Sequence, residues 1–335
     1  MPCTAYVFNN ETNPLSGQEQ SVLAVMYTCI AIAIAQFHLN LLIVLAIGLQ
    51  RKLRTRNTYF IIMMTSAGYV IYGLGAVVHG LNIASNCFNY GLILPLTGSN
   101  CLSILLLSNV GKMMIVDFSL ITAVDRSVAV FFPVWYGKRI RFCLVYIKIS
   151  IVMLHVVFMN LFEYAHILSK DGQHHCMPSA ANGKSLWFAK AEQVQVDVMI
   201  ALTVLIYTVL TVWAEKEMEK ARHRADYSAQ TRMHMKVELL RTLVLSIFFY
   251  AVTFGVANML ITIQMYNYGI EVSVLYTFAY SVSQLGGILN FVAYYWRTKE
   301  IHKSFNSIVI CLFMVAKCRH EKDRRILPSS ASVMT

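Results

Sequence analysis

The chain has 335 residues, of which 57% are hydrophobic and only 13% are charged. A water-soluble domain of this length requires more polar surface than such a composition supplies. The net charge of +11 does not indicate nucleic-acid binding, because the basic residues lie beside apolar runs and no basic soluble domain is present.

Seven long apolar runs divide the sequence, and each can cross about 30 Å of hydrocarbon as a helix, which takes about 20 residues. In chain order they cover residues 21–49, 59–84, 99–124, 142–168, 194–214, 242–265 and 272–296. The sequence therefore predicts an all-α membrane protein with one seven-helix transmembrane bundle at residues 21–296. We expect an extracellular N-terminus at residues 1–20, and a short amphipathic eighth helix and cytoplasmic tail at residues 297–335.

The distribution of Lys and Arg predicts the orientation of this bundle. Nearly all of the 28 basic residues lie in alternate gaps and in the tail, whereas the opposite gaps contain only Lys170, Lys184 and Lys190. Basic loops remain in the cytoplasm, so we expect a multi-pass plasma-membrane protein with a cytoplasmic C-terminus. The same cations favour contact with anionic lipid of the inner leaflet.

The predicted outer side carries a glycosylation sequon and four of the eight cysteines, Cys3, Cys87, Cys101 and Cys176. Asn10 begins an Asn-Glu-Thr triplet, which is an acceptor for N-glycosylation. Disulfides are permitted on this side, and a bridge between Cys101 and Cys176 would pin the second outer loop to the top of the third run. Free thiols are the alternative, and a second bridge between Cys3 and Cys87 is left open.

The third run carries a polar face that ends at the neighbouring residues Asp125 and Arg126. An arginine at the mouth of a bundle is costly unless it is hydrated or paired, and Asp125 is adjacent and can pair with it. Residues at steps of three and four share one helix face, so we expect this face to point into the bundle. Counting back from Arg126, it carries Thr122, Ser119, Ile115, Lys112 and Ser108.

Several motifs together resemble the rhodopsin-like G-protein-coupled receptors. They are Asn40 in the first run, Cys101, the Asp125-Arg126 pair and Pro133 around the third run, and Asn290-Phe291-Val292-Ala293-Tyr294 in the seventh. The last motif is similar to the Asn-Pro-x-x-Tyr of that family, with Phe in place of Pro. Residues 295–305 look like its amphipathic helix along the inner membrane surface. Within the family, the chain is most similar to nematode serpentine chemoreceptors such as class SX, over about residues 21–305.

This resemblance implies a chemosensory receptor that binds a small extracellular ligand and activates a heterotrimeric G protein. Ligand binding would release Arg126 from Asp125 and move the sixth helix away from the third, which opens a cavity for the G protein. Tyr207 and Tyr294 would hydrogen-bond in the open arrangement, with plain helix packing as the alternative. The residues implied in G-protein coupling are Asp125, Arg126, Pro133, Tyr207, Asn290 and Tyr294. No cofactor and no metal site are expected.

The sequence also departs from the family pattern. The second run has no aspartate, so we expect the family's sodium site to be missing. The fourth run has no tryptophan, and the fifth and sixth runs have no proline. Residues 248–254 contain no counterpart of the family's Cys-Trp-x-Pro switch. We therefore expect activation without a proline-kinked pivot, and the sequence names no switch residue.

Lys112 is the main indication of ligand chemistry. It lies about 21 Å along the helix from Arg126, and a buried ammonium group needs a partner. Glu163, Glu192 and Asp197 are candidate partners. Lys112 either meets an anionic or carbonyl group of the ligand or forms a structural ion pair. The ligand-binding candidates are Lys112, Ser108, His79, Glu163, Asp197, Tyr280 and Gln284.

The tail offers sites for modification and for a further partner. Cys311 and Cys318 follow the amphipathic segment and are candidates for palmitoylation, with free cytosolic thiols as the alternative. The terminal residues Ser329, Ser330, Ser332 and Thr335 offer phosphate acceptors of the kind that arrestin binds. The sequence leaves open a receptor dimer, a location in a sensory cilium, the ligand and the G-protein subtype.

Other functions fit the sequence less well. A receptor for a neuropeptide or another internal ligand is the nearest alternative. A transporter or channel would need helices broken at mid-depth, and only Gly286-Gly287 hints at a break. A retinal-based light sensor would need a lysine in the seventh run, which has none. An enzyme is not expected, because no nucleophile–base pair or metal cluster occurs at useful spacing.

Overall fold

A computed structural model describes residues 17–54, 57–90, 96–132, 141–168, 173–174, 186–222, 244–245, 247–267 and 274–307, in part by the backbone alone. Six long helices are α1 (Gly17–Leu49), α2 (Asn57–Tyr90), α3 (Gly98–Phe131), α4 (Arg141–Leu168), α5 (Leu186–Arg222) and α7 (Val274–Arg297). Helix α6 covers residues 247–267, of which Ala251–Gly255 is π-helical and Val256–Asn267 α-helical. Residues 299–307 form α8.

The remaining elements are short. A single helical turn, Arg51–Arg54, joins α1 to α2. Strand β1 (Leu96–Thr97) pairs antiparallel with β2 (Gln173–His174), with Leu96 opposite His174. This ladder places part of the connection between α4 and α5 beside the start of α3.

The seven apolar runs coincide with α1 to α7, so the prediction of an all-α membrane bundle is confirmed. Most helices extend beyond the apolar run, because polar residues continue the helix where it leaves the hydrocarbon. Helix α5 thus continues to Arg222, where Lys220 contacts Glu217 at 2.8 Å. Five described segments are long and apolar enough to cross a membrane: Tyr27–Leu49, Thr58–Asn82, Ser103–Phe131, Val145–Phe162 and Lys190–Glu217; Ile247–Ile263 is a shorter apolar helix.

Helix α3 occupies the centre of the bundle. It packs on α2, α4 and α5, while α1 packs on α2 and α7, and α7 on α6. Ile115, Val116 and Phe118 of α3 are fully buried. Helix α4 is peripheral and exposes large apolar side chains such as Leu154 and Phe158, which suits a surface covered by lipid rather than water.

Glycines set the closest approaches between helices. A Cβ on Gly75 of α2 would lie 2.4 Å from the backbone nitrogen of Ser108 on α3. On α7, a Cβ on Gly287 would lie 2.5 Å from the side chain of Gln36 on α1. Small residues let membrane helices approach in this way. The Gly286-Gly287 pair is therefore a contact between helices, and α7 runs through it without a break.

Asn40 ties α1 to α7. Its amide nitrogen donates to the carbonyl oxygen of Gly287 at 2.9 Å and to that of Gln36 at 3.0 Å. The amide nitrogen of Asn290 lies 3.5 Å from Asn40 Oδ1. These bonds fix the register of the part of α7 that carries Tyr294.

The π-helical turn in α6 lies where the sequence offers no proline. Within it, the Thr253 hydroxyl donates to the carbonyl oxygen of Phe249 at 2.6 Å. Phe254 is 1% exposed, stacks on Tyr250 at 5.4 Å and meets the edge of Tyr72 at 6.1 Å. Turns of this kind bend a helix and occur frequently at functional sites. Helix α6 therefore departs from a regular α-helix although it contains no proline.

Candidate functional site

One polar network joins α3, α5 and α6, and we call it the Lys112 cluster: Lys112, Gln193, Asp197, Asn258 and Thr262. Lys112 Nζ donates to Gln193 Oε1 at 3.2 Å, and Gln193 Nε2 donates to Asn258 Oδ1 at 3.1 Å. Asp197 accepts a hydrogen bond from the Thr262 hydroxyl at 2.5 Å and interacts electrostatically with Lys112. Gln193 and Asn258 are each 2% exposed. The cluster therefore links the charges of Lys112 and Asp197 through neutral amides.

The three predicted partners of Lys112 lie at different places in the structure. Asp197 belongs to its cluster, and Glu192 is buried nearby in sequence on α5. Glu163 lies on α4, but its side chain lies outside the described residues. Lys112 also donates a hydrogen bond to Gln193, a partner that sequence reasoning missed. A signal existed: Gln193 and Asp197 on α5 are four residues apart, as are Asn258 and Thr262 on α6, so each pair shares a face.

Two further predicted residues, Ser108 and Tyr280, meet between α3 and α7. Their hydroxyl oxygens lie 3.5 Å apart. The Tyr280 ring packs edge-on against Tyr72 with centroids 5.9 Å apart, and the Tyr72 hydroxyl lies 2.8 Å from the Ser283 hydroxyl. Tyr72 and Ser283 were not predicted, because nothing in the sequence shows which residues of α2 face α7.

His79 and Gln284 are buried with unused polar atoms. Gln284 is fully buried, and neither polar atom of its amide forms a hydrogen bond of normal geometry within the described residues. The same holds for Nδ1 of His79, which is 5% exposed. Buried polar groups in native proteins are nearly always hydrogen-bonded. Both side chains therefore have hydrogen-bonding capacity left for a ligand or for water.

A second charged group lies toward the other end of α3, and we call it the Arg126 cluster: Thr58, Asp125, Arg126 and Lys148. Arg126 Nη2 lies 3.0 Å from Asp125 Oδ2 and donates to the Thr58 hydroxyl at 2.6 Å. Lys148 of α4 donates to the other carboxylate oxygen, Asp125 Oδ1. The side chains of Asp125 and Arg126 are only 1% and 10% exposed. The pairing expected between Asp125 and Arg126 is present, but Thr58 and Lys148 were not predicted as partners.

Between the two clusters lies a cavity of about 20 Å³, lined by Thr65, Tyr69, Ser119, Thr122, Tyr207, Ile247, Tyr250, Asn290 and Tyr294. This volume admits about one water molecule. The hydroxyls of Tyr207 and Tyr250 are buried and form no hydrogen bond of normal geometry within the described residues. Three predicted coupling residues, Tyr207, Asn290 and Tyr294, are thus brought together at one polar cavity.

Asp117 belongs to neither cluster, as its position on α3 indicates. Its Oδ2 lies 2.7 Å from Nδ1 of His155 on α4, and His155 Nε2 lies 2.8 Å from the amide nitrogen of Gln195 on α5. Asp117 is 4% exposed. This chain of side chains joins α3, α4 and α5 on the side of α3 that faces away from Lys112.

Other predicted sites fall outside the described residues. These are Asn10, Pro133, Cys176, Cys311, Cys318 and the terminal Ser329, Ser330, Ser332 and Thr335. Cys101 lies in the first turn of α3, but its side chain is likewise not described. Within the described residues, no group of three or more His, Cys, Asp or Glu side chains could hold a metal ion.

Comparison with known protein families identifies the chain's relatives. The family model described as serpentine type 7TM GPCR chemoreceptor Srsx matches residues 32–309. No curated protein matches the chain closely in sequence. The matched segment contains both clusters and the cavity between them. The resemblance to serpentine chemoreceptors is confirmed, and the chain belongs to the Srsx family of seven-transmembrane G-protein-coupled chemoreceptors.

Proposed function

We propose that this receptor binds a small extracellular ligand beside Lys112 and activates a heterotrimeric G protein through Arg126. The observation that carries the proposal is that α3 bears both polar clusters, separated by about 21 Å of one continuous helix. Each cluster also includes residues of other helices. A change at one cluster can therefore alter the helix arrangement at the other.

An anionic or carbonyl group is the ligand chemistry that the Lys112 cluster favours. One hydrogen bond from Lys112 goes to a neutral amide oxygen of Gln193. A negatively charged ligand group can replace that oxygen and form a stronger, charge-assisted bond. Ser108 of α3 and Tyr280 of α7 would supply hydroxyls, and Gln284 of α7 and His79 of α2 would supply further polar atoms. A structural role for Lys112, as the link from α3 to α5, is the alternative.

Coupling requires Arg126 to leave Asp125. A ligand that binds the open arrangement better than the closed one shifts the population toward it. The Tyr207 hydroxyl, buried without a partner of normal geometry among the described residues, would then bond with Tyr294 across the cavity. Asn290 and Asn40 would hold α7 in register while α6 moves. Pro133 would end α3 at the surface that meets the G protein.

The orientation proposed from the basic loops puts the Lys112 end of the bundle outside and α8 inside. Helix α8 supports contact with anionic lipid, because Lys299 and Lys303 are exposed while Ile301 is 1% exposed. Glycosylation of Asn10, a Cys101–Cys176 disulfide, palmitoylation of Cys311 and Cys318, and arrestin binding to the phosphorylated tail belong to the same proposal.

The test is a screen of small volatile and water-soluble compounds against cells expressing the full chain, with a second-messenger readout. With an active compound in hand, Arg126→Ala should abolish signalling at unchanged surface expression. Lys112→Gln should shift the dose–response curve by tenfold or more, since one charged hydrogen bond contributes about 1.5–3 kcal/mol. Normal signalling by Arg126→Ala would refute the coupling role, and an unaltered curve for Lys112→Gln would leave Lys112 a structural role.

A further inference from the structure

Asp125 is shared between two cations that use different oxygens. Arg126 contacts Oδ2 at 3.0 Å, and Lys148, which reaches across from α4, donates to Oδ1. The carboxylate itself is 1% exposed, whereas the Lys148 side chain is 21% exposed. Lys148 therefore reaches the carboxylate from the periphery of the bundle and does not depend on Arg126 for its position.

Burial makes the second cation important. A carboxylate that is 1% exposed has almost no contact with water. If it loses its cation, the negative charge is left buried and unpaired, which is among the costliest changes in a protein interior. If Arg126 were the main cation at Asp125, its departure would carry that cost. With Lys148 on the other oxygen, the carboxylate keeps a charged partner when Arg126 moves.

The contacts of Arg126 suit such a departure. Its bonds to Asp125 and Thr58 both use the same nitrogen, Nη2. The bidentate arrangement, in which two nitrogens grip both carboxylate oxygens, is the tighter one, and here Lys148 occupies the second oxygen. Nε of Arg126 is buried and has no hydrogen-bond partner within the described residues.

We propose that Lys148 is a positioning residue for activation, which holds Asp125 when Arg126 leaves and so makes the open arrangement accessible. The proposal rests on one part of the proposed function, the departure of Arg126 from Asp125 on opening. It differs from a purely structural role, in which Lys148 only anchors α4 to α3. The structural role predicts a loss of stability on substitution but no change in the balance between closed and open receptors.

The experiment measures opening directly and does not need a G protein. Spin labels at positions 132 and 248, where Phe132 is 63% and Phe248 57% exposed, report the distance between the end of α3 and the neighbouring end of α6 in the full-length purified receptor. We compare Lys148→Gln, Lys148→Arg, Asp125→Asn and the double variant Asp125→Asn/Lys148→Gln. Lys220→Gln is the matched control, since it removes one exposed cation paired with Glu217.

Lys148→Gln should lower the open fraction severalfold, up to about tenfold. A tenfold change corresponds to a free-energy difference of about 1.4 kcal/mol between the open and closed receptors. Lys148→Arg should restore it, and Lys220→Gln should leave it unchanged. Asp125→Asn should raise the open fraction, and in that background Lys148→Gln should have no further effect. An unchanged or raised open fraction in Lys148→Gln, or an equal fall with and without Asp125, would overturn the proposal.

Ligand-independent second-messenger production, normalised to surface receptor, separates this proposal from the proposed function. If the open fraction changes as expected while Arg126→Ala leaves second-messenger production unaltered, the role of Lys148 in opening stands and the coupling role of Arg126 fails. If Arg126→Ala abolishes signalling while Lys148→Gln leaves the open fraction unchanged, coupling stands and the role of Lys148 fails.

Discussion

Gly111 of α3 packs directly against the backbone of Tyr72 on α2, and a Cβ at position 111 would lie 2.4 Å from the Tyr72 nitrogen. Gly75 of α2 makes the reciprocal contact with Ser108 of α3. The two glycines thus interlock the helices that carry Ser108, Lys112 and Tyr72. Ser108, whose hydroxyl oxygen lies 3.5 Å from that of Tyr280 on α7, is thus held close to the backbone of α2.

We expect Gly111→Ala to destabilise the receptor by about 1–3 kcal/mol, the usual cost of forcing extra volume into a packed interior. The nearest atoms belong to backbone, which cannot rotate away as a side chain would. The measurement is size-exclusion chromatography of purified receptor after heating, which gives the temperature at which the monodisperse receptor peak is lost. Gly48→Ala is the control, since a Cβ there meets only Met63 Sδ at 3.9 Å; equal melting of the two variants would contradict the prediction.

The pair formed by Asp117 and His155 offers a second test. One oxygen of Asp117 contacts His155, while the other is buried and has no hydrogen-bond partner within the described residues. His155→Leu should therefore cost about 1–3 kcal/mol, because it leaves the carboxyl group buried without its partner. The double variant Asp117→Leu/His155→Leu should be more stable than His155→Leu alone. Simple addition of the two single effects would show that the contact contributes nothing.

Much of the fold follows from the sequence because hydrophobic length and helical spacing are local properties. The seven helices, the polar face of α3 and the adjacent pair Asp125 and Arg126 are all of this kind. Adjacent residues of opposite charge need no knowledge of how helices pack. Asn40 and Asn290 were recognised by resemblance to a family, and their contact between α1 and α7 could not have been inferred from spacing alone.

What the sequence did not predict depends on how helices are rotated against one another. Lys148 was interpreted as one of many topology-setting cations, since nothing in the sequence brings α4 to Asp125. Gln193 carries no charge, so it was not considered as a partner for Lys112. The π-helical turn in α6, Ala251–Gly255, contains no proline that would have indicated it, and its residues Thr253 and Phe254 are buried.

The proposed disulfide gives a third prediction. The β1–β2 ladder holds residues 173–174 beside the start of α3, where Cys101 lies. Cys101→Ser and Cys176→Ser should each reduce stability by about 2–4 kcal/mol, the usual contribution of a bridge that closes a long loop. The double variant should be no worse than either single one. Mass spectrometry of the non-reduced receptor provides the check, and alkylation of both thiols without prior reduction would exclude the bridge.

The contact between Gly286 of α7 and Thr253 in the π-helical turn of α6 gives the last prediction. A Cβ on Gly286 would lie 2.6 Å from the Thr253 hydroxyl oxygen. That hydroxyl is already fixed by its hydrogen bond to the Phe249 carbonyl, so it cannot swing away freely. Gly286→Ala should therefore displace the turn, destabilise the receptor by about 1–3 kcal/mol and change ligand-independent signalling.

Thr253→Ala removes the obstructing oxygen and leaves the Thr253 Cβ, which lies at an ordinary 3.5 Å from the added methyl group. The double variant Gly286→Ala/Thr253→Ala should thus recover most of the stability that Gly286→Ala loses, with Thr253→Ala alone as the reference for the lost hydrogen bond. Thermal unfolding and basal second messenger are measured together on all three variants. Recovery of both would mean that α7 acts on α6 through this one contact, whereas recovery of neither would mean that α7 presses on α6 elsewhere along their interface.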